Sequence, residues 1–144
     1  MESAFQASKV FERGGPYADL LNKSSKEAKR DIRLKESGNL TGFNFFGKEF
    51  PIKPVTFFYD WLYVHSLNQN QAMAKKVLYF SGFSDIEFNP KKSLNCQARS
   101  LALYISLVSA GALEDALSTQ DRFFEIAYQS ENDKGSTSFQ ASLL

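Results

Sequence analysis

The stretch Glu2-Ser3-Ala4-Phe5-Gln6-Ala7-Ser8-Lys9-Val10-Phe11-Glu12-Arg13 opens the chain, and its periodicity points to a helical fold. Turned at about 100° per residue, Glu2, Gln6, Lys9 and Arg13 fall within about 60° of one another. Ala4, Ala7 and Phe11 fall on the opposite side, with Phe5 and Val10 flanking the polar stripe. The spacing predicts a helix over 2–13, stopped by Gly14-Gly15-Pro16. One face packs, and the other carries a carboxylate, an amide and two cations. That face suits an anionic ligand handled by an acid–base group, and equally an ordinary solvated surface with spaced charge pairs.

Helical signals continue outward. Tyr17 to Asn22 reads as a short helical piece carrying Leu20 and Leu21. Ser24 and Glu27 have capping-box spacing, and a charged helix follows to about Lys35, with Ala28, Ile32 and Leu34 inward. Pro54 is placed to open a helix through Thr56, Phe57, Trp61 and Val64 to about Gln69. Further helices are expected over about 71–80, ending at Gly82, and over about 95–110, closed by Gly111. The latter carries Ala98, Leu101, Ile105 and Val108 on one stripe. Short helices over 113–117 and 119–129 complete the pattern, with Phe123, Phe124 and Ile126 partly buried.

The exception is 38–54. Gly38, Gly42, Gly47, Pro51 and Pro54 punctuate a run containing Phe43, Phe45, Phe46 and Phe50. This reads as a loop with a short extended pair turning near Gly47-Lys48. The fold class is therefore mainly α: one multihelical domain over 1–129 with a short extended Phe-rich segment near 43–53, then a flexible polar tail over 130–144.

At 144 residues and 43% hydrophobic composition, the chain can bury a core of its own. A formal net charge of +1 argues against non-specific duplex binding as the main task, while leaving room for a local basic patch. The single cysteine, Cys96, excludes an internal disulfide and a Cys-rich zinc site, and the single histidine, His65, excludes a His-based metal cluster. The polar start lacks a signal-peptide apolar region, and no stretch approaches the ~20 apolar residues of a membrane span. The chain reads as cytoplasmic, without a membrane partner.

Two regions could carry chemistry besides the opening stretch. Asp85-Ile-Glu87-Phe-Asn89-Pro-Lys-Lys92 sets two carboxylates two residues apart, on one side of an extended segment. It leads to a helix start near Asn95, where free N–H groups favour phosphate and where Asn95 and Gln97 could add donors. Asn95 or Ser93 as a simple N-cap, with the carboxylates solvated, explains the same residues. Trp61 is either core or a stacking platform, and an indole N–H wants a partner when buried. His65 lies beside apolar residues and reads as a surface or core-edge side chain rather than a catalyst.

Glu2-Ser-Ala-Phe-Gln-Ala-Ser-Lys9 resembles the Glu-x-x-(aromatic)-Gln-Ala-x-Lys helix of the NADAR (YbiA-like) proteins. Leu20 to Arg33 looks like that family's next helix, and Tyr63 to Asn70 is similar to the helix before its Leu-rich segment. Phe83-Ser-Asp-Ile-Glu-Phe-Asn-Pro-Lys-Lys-Ser-Leu-Asn-Cys-Gln-Ala98 looks like the NADAR branch encoded as antitoxins beside DarT-type toxins. The resemblance spans about 2–128. Relative to the family pattern the chain is short at its N-terminus, and Phe88-Asn89-Pro90 stands where the broader family has a Gly-rich element.

The resemblance implies a mainly helical ADP-ribosyl glycohydrolase needing no metal or cofactor. Its substrate would be ADP-ribosylated guanine in single-stranded DNA, and its counterpart a cognate DarT-type toxin. Residue by residue it implies Glu2 and Glu87 as catalytic carboxylates, and Gln6, Lys9, Asp85, Asn89, Asn95 and Gln97 on the ligand. Trp61 or the Phe rings of 43–50 would then stack on adenine or guanine. The alternatives are a remnant that binds ADP-ribose or a toxin without turnover, and an N-glycosidase of a small metabolite. The glycohydrolase reading expects the acidic residue near the start and the bend before residue 95 to meet at one sugar-sized hollow.

Overall fold

A computed structural model of the protein describes residues 1–80 and 97–129, and the architecture is mainly α with one small sheet. The described residues group into two compact units, 1–66 in the first and 67–80 with 97–129 in the second.

The first unit is built on aromatic packing. Helix α1 (Glu2–Ala7) is followed at once by strand β1 (Lys9–Phe11). The expected helix over 2–13 therefore ends six residues early. The Ser8 hydroxyl bonds back to the Ala4 carbonyl at 2.7 Å and helps close the last turn. Val10 and Phe11, both strand-favouring types, then find an antiparallel partner in β2 (Leu40–Phe45), with Lys9 opposite Phe43. Sheet pairing across thirty residues outweighs the local helical period. Gly15, with φ +88°, carries the chain away from β1; a Cβ there would lie 2.3 Å from the Lys9 carbonyl oxygen.

β2 turns into β3 (Lys48–Phe50) with Phe43 opposite Phe50 and Phe45 opposite Lys48. The expected extended pair is thus a two-residue hairpin. Its tip is Phe46-Gly47, with φ +50° and +85°, the twist that two-residue hairpin loops favour. Asn44 holds the tip by accepting a hydrogen bond from Gly47 N at 2.9 Å.

Helix α4 (Phe57–Gln69) lays Phe57, Phe58 and Trp61 against this hairpin. Phe58 is the hub, 1% exposed, with ring centroids 4.7 Å from Phe43, 4.8 Å from Phe50 and 5.9 Å from Phe5. A smaller cluster of Ala7, Leu20 and Ala28, flanked by Tyr17 and Leu34, seats α1 against the 3-10 helix Ala18–Asn22 and α2 (Ser25–Lys29). Ser24 and Glu27 form the expected capping box, each side chain bonding the other's backbone N–H.

The charged helix expected to reach Lys35 is broken. The Asp31 carboxylate takes the Arg33 backbone N–H at 2.9 Å and starts a separate turn, α3 (Arg33–Glu36). Ile32 falls in that break and is 62% exposed rather than inward. Arg33 is clamped between Asp19 and Asp31 and lies over the Tyr17 ring.

The second unit holds helices α5 (Gln71–Phe80), α6 (Gln97–Ser109), α7 (Leu113–Ser118) and α8 (Gln120–Phe124), ending in a wider turn over Glu125–Gln129. On α6 the buried line is Ser100, Tyr104 and Leu107, one position before the expected Leu101, Ile105 and Val108 stripe. The two lines are about 100° apart on the helix, and the large Tyr104 ring takes the inward side. Phe123 is buried as expected, whereas Phe124 is 37% exposed. Gly82 and the 130–144 tail lie outside the described residues.

Truncating the hub, Phe58→Ala, is expected to cost about 3–5 kcal/mol of unfolding free energy in urea titration. His65 packs 4.1 Å from Trp61, with its Nε2 buried and unpartnered. Burial, and then the Lys48 charge, hold its pKa below the usual 6.5. The unfolded chain therefore binds that proton first, so stability falls as pH drops below about 6.5. His65→Phe is expected to flatten that part of the pH–stability curve.

Candidate active site

The opening stretch builds the site within the first unit. Glu2 and Gln6 sit one turn apart on α1, and Gln6 Nε2 donates to Glu2 Oε1 at 2.8 Å. That bond uses the Gln6 amide nitrogen and leaves its Oε1 buried without a hydrogen-bond partner. Gln6 is only 7% exposed, while the Glu2 side chain keeps 19% of its surface open. Glu2 is therefore a half-buried carboxylate held in one orientation by a buried amide.

Two cations converge on it. Lys9 belongs to β1 rather than to the helix, yet Glu2 and Lys9 still interact. Its ammonium lies 5.2 Å over the Phe5 ring, and burial holds its pKa below the usual 10.5, with the Glu2 charge opposing that shift. Lys29 comes from α2, its Nζ 4.0 Å from Glu2 Oε1. Ser3 fixes the approach of the two segments by donating its hydroxyl to the Lys23 carbonyl at 2.8 Å. The arrangement can hold an anionic group beside a carboxylate that is positioned to take a proton.

The structure thus bonds Gln6 to Glu2 and leaves Lys9 within the reach of the Glu2 charge. It does not extend the stripe to Arg13, which bonds the Ser37 and Glu36 carbonyls instead. Trp61 is corrected to a core residue: 6% exposed, with ring centroids 4.7 Å from Phe50 and 4.1 Å from His65, it offers no open stacking platform. Gln97 is the exposed first residue of α6 in the second unit. Asp85, Glu87, Asn89 and Asn95 lie outside the described residues, and with them the hollow expected between that bend and Glu2.

Lys29 is the residue that sequence reasoning missed. Its helix was legible from the capping box, but its meeting with Glu2 comes from packing of Ala28 with Ala7 and Leu20, which no local period shows.

Among the described residues, no helix is long and apolar enough to cross a membrane. A family model described as DarT1-associated NADAR antitoxin matches residues 1–137. No curated protein matches the chain.

Lys9→Met keeps the apolar stem and removes a charge that burial disfavours. Its thermal midpoint at pH 7 is expected to equal or exceed that of the wild type. Because Lys9 sheds its proton more readily when folded, wild-type stability gains as pH rises toward 10.5, and this gain is expected to vanish in the variant. Thermal melts across that pH range check both.

Proposed function

We propose, from the premise that this chain belongs to the DarT1-associated NADAR antitoxins, that it is an ADP-ribosyl glycohydrolase acting on ADP-ribosylated guanine in single-stranded DNA. Membership makes the chain an antitoxin of a DarT system, with a DarT-type toxin as its counterpart. The chemistry is the step beyond that.

The observation carrying it is the Glu2–Gln6 pair, a carboxylate oriented by a buried amide and flanked by Lys9 and Lys29. Cleavage of the bond between ribose C1 and the guanine nitrogen passes through an oxocarbenium-like state, which a nearby carboxylate stabilises. Water attacks C1, its proton passes to Glu2, and the bond's electron pair leaves with the base, which takes up a proton. Lys9 and Lys29 supply charge-assisted contacts to the diphosphate. On this reading Asp85, Glu87, Asn89, Asn95 and Gln97 complete the ligand contacts, as the family resemblance implies.

The test is release of ADP-ribose from a single-stranded oligodeoxynucleotide carrying ADP-ribosyl-guanine. The wild type is expected to release it, and Glu2→Gln to be slower by about 10²–10⁴-fold, the usual worth of a positioned acid–base group. No release by the wild type ends the glycohydrolase reading. Undiminished release by Glu2→Gln ends the assignment of Glu2.

A further inference from the structure

The tip of the β2–β3 hairpin is built at odds with stability. Phe46 has φ +50°, a region that disfavours bulky residues and is tolerated mainly by Gly, Asn and Asp, and its ring is 77% exposed. A Gly or Asn would fit the same turn without strain or exposed apolar surface. Beside the tip lies a cleft of about 190 Å³, lined by Phe45, Phe46, Ser8, Pro16, Ala18 and Leu21 among others. It is smaller than the roughly 300–1,000 Å³ that encloses a drug-sized ligand, and so fits one planar ring system rather than a whole dinucleotide. The Ser8 hydroxyl there donates to Ala4 O, and the Asn44 side-chain oxygen takes Gly47 N–H. Recognition there would rest on ring stacking, which every nucleobase satisfies.

The cleft wall leads into a basic run. Leu21 is followed two residues on, within about 7 Å of chain, by Lys23, then Lys26 and Arg30. All three are exposed, and none forms an ion pair with a carboxylate among the described residues. Glu27 and Asp31 also attract Lys23, but residues 23–30 carry four cations against one acid. Glu27 is drawn to the Ser24 backbone N–H, and Asp19 is held by Arg33. A chain of net charge +1 thus keeps a local excess of positive charge beside an apolar slot with an exposed ring.

We propose that the hairpin-tip cleft and Lys23, Lys26 and Arg30 form a track for the single strand flanking the modified guanine, one unmodified base stacking on Phe46 and its phosphates lying along the cations. The track rests on the DNA substrate of the glycohydrolase reading, yet its own binding needs no turnover.

The probe is a short fluorescein-labelled, unmodified single-stranded oligodeoxynucleotide, read by anisotropy against salt. Phe46→Gly removes the ring and relieves the backbone; it is expected to melt no lower than wild type while binding about tenfold more weakly. Phe46→Trp is expected to bind like wild type, with its indole fluorescence quenched by the strand. The triple variant Lys23→Glu, Lys26→Glu, Arg30→Glu is expected to lower the slope of log affinity against log salt by about two. The triple variant should still process ADP-ribosyl-deoxyguanosine, which has no flanking strand, within twofold of wild type. Oligonucleotide binding unchanged in either loss variant overturns the track. An equal loss on the nucleoside substrate also overturns it, by placing the ADP-ribose itself in the cleft. Salt-dependent binding that both variants weaken supports the track whether or not the wild type releases ADP-ribose, so its fate is separable from that of the enzymatic reading.

Discussion

Ring packing around Phe58 is the constraint on which the first unit depends. Phe5 from α1, Phe43 and Phe50 from the hairpin, and Trp61 from the next turn of α4 all meet that one side chain. α1 has only six residues, and an isolated helix of that length is unstable in water. It persists because Phe5 is anchored in the ring cluster and Ala7 in the small-residue cluster beside it. Glu2 and Gln6 therefore owe their orientation to the anchored residues that flank them on their own helix.

That dependence explains how the sequence could be read and where it misled. The polar stripe was legible because Glu2 and Gln6 do share a helical face. Lys9 shares that face only on a helical period; it sits on a strand, where the Glu2 charge still opposes the lowering of its pKa by burial. The switch at Ser8 is hidden from the local period because its cause is the pairing of Lys9 with Phe43, thirty-four residues further on. The hairpin could be guessed from Gly47 between Phe pairs, and the capping box from Ser24 and Glu27 alone, because both are set by neighbours in the chain. The break at Asp31 was also local, but a side chain taking the backbone N–H two residues on is easily masked by charged residues that read as continuous helix.

Charge tells a similar story at a larger scale. The formal balance of +1 conceals an uneven distribution, since several acids are engaged in local structure. Asp19 and Asp31 clamp Arg33, Glu27 caps α2, and Asp115 and Glu125 hold Arg122. Lys23, Lys26 and Arg30 form no close carboxylate ion pair among the described residues, although the charges of Glu27 and Asp31 act on Lys23. Net charge bounded the class of partner, and only the pairing pattern showed where cationic surface remains.

The buried Gln6 oxygen has one more consequence. An acceptor without a donor is a weakness of the folded state alone, because in the unfolded chain water supplies the missing bond. A hydroxyl that meets it strengthens the native form and leaves the random chain untouched. Proteases that catch opened molecules would then cut less often any form of the protein in which a donor meets that oxygen.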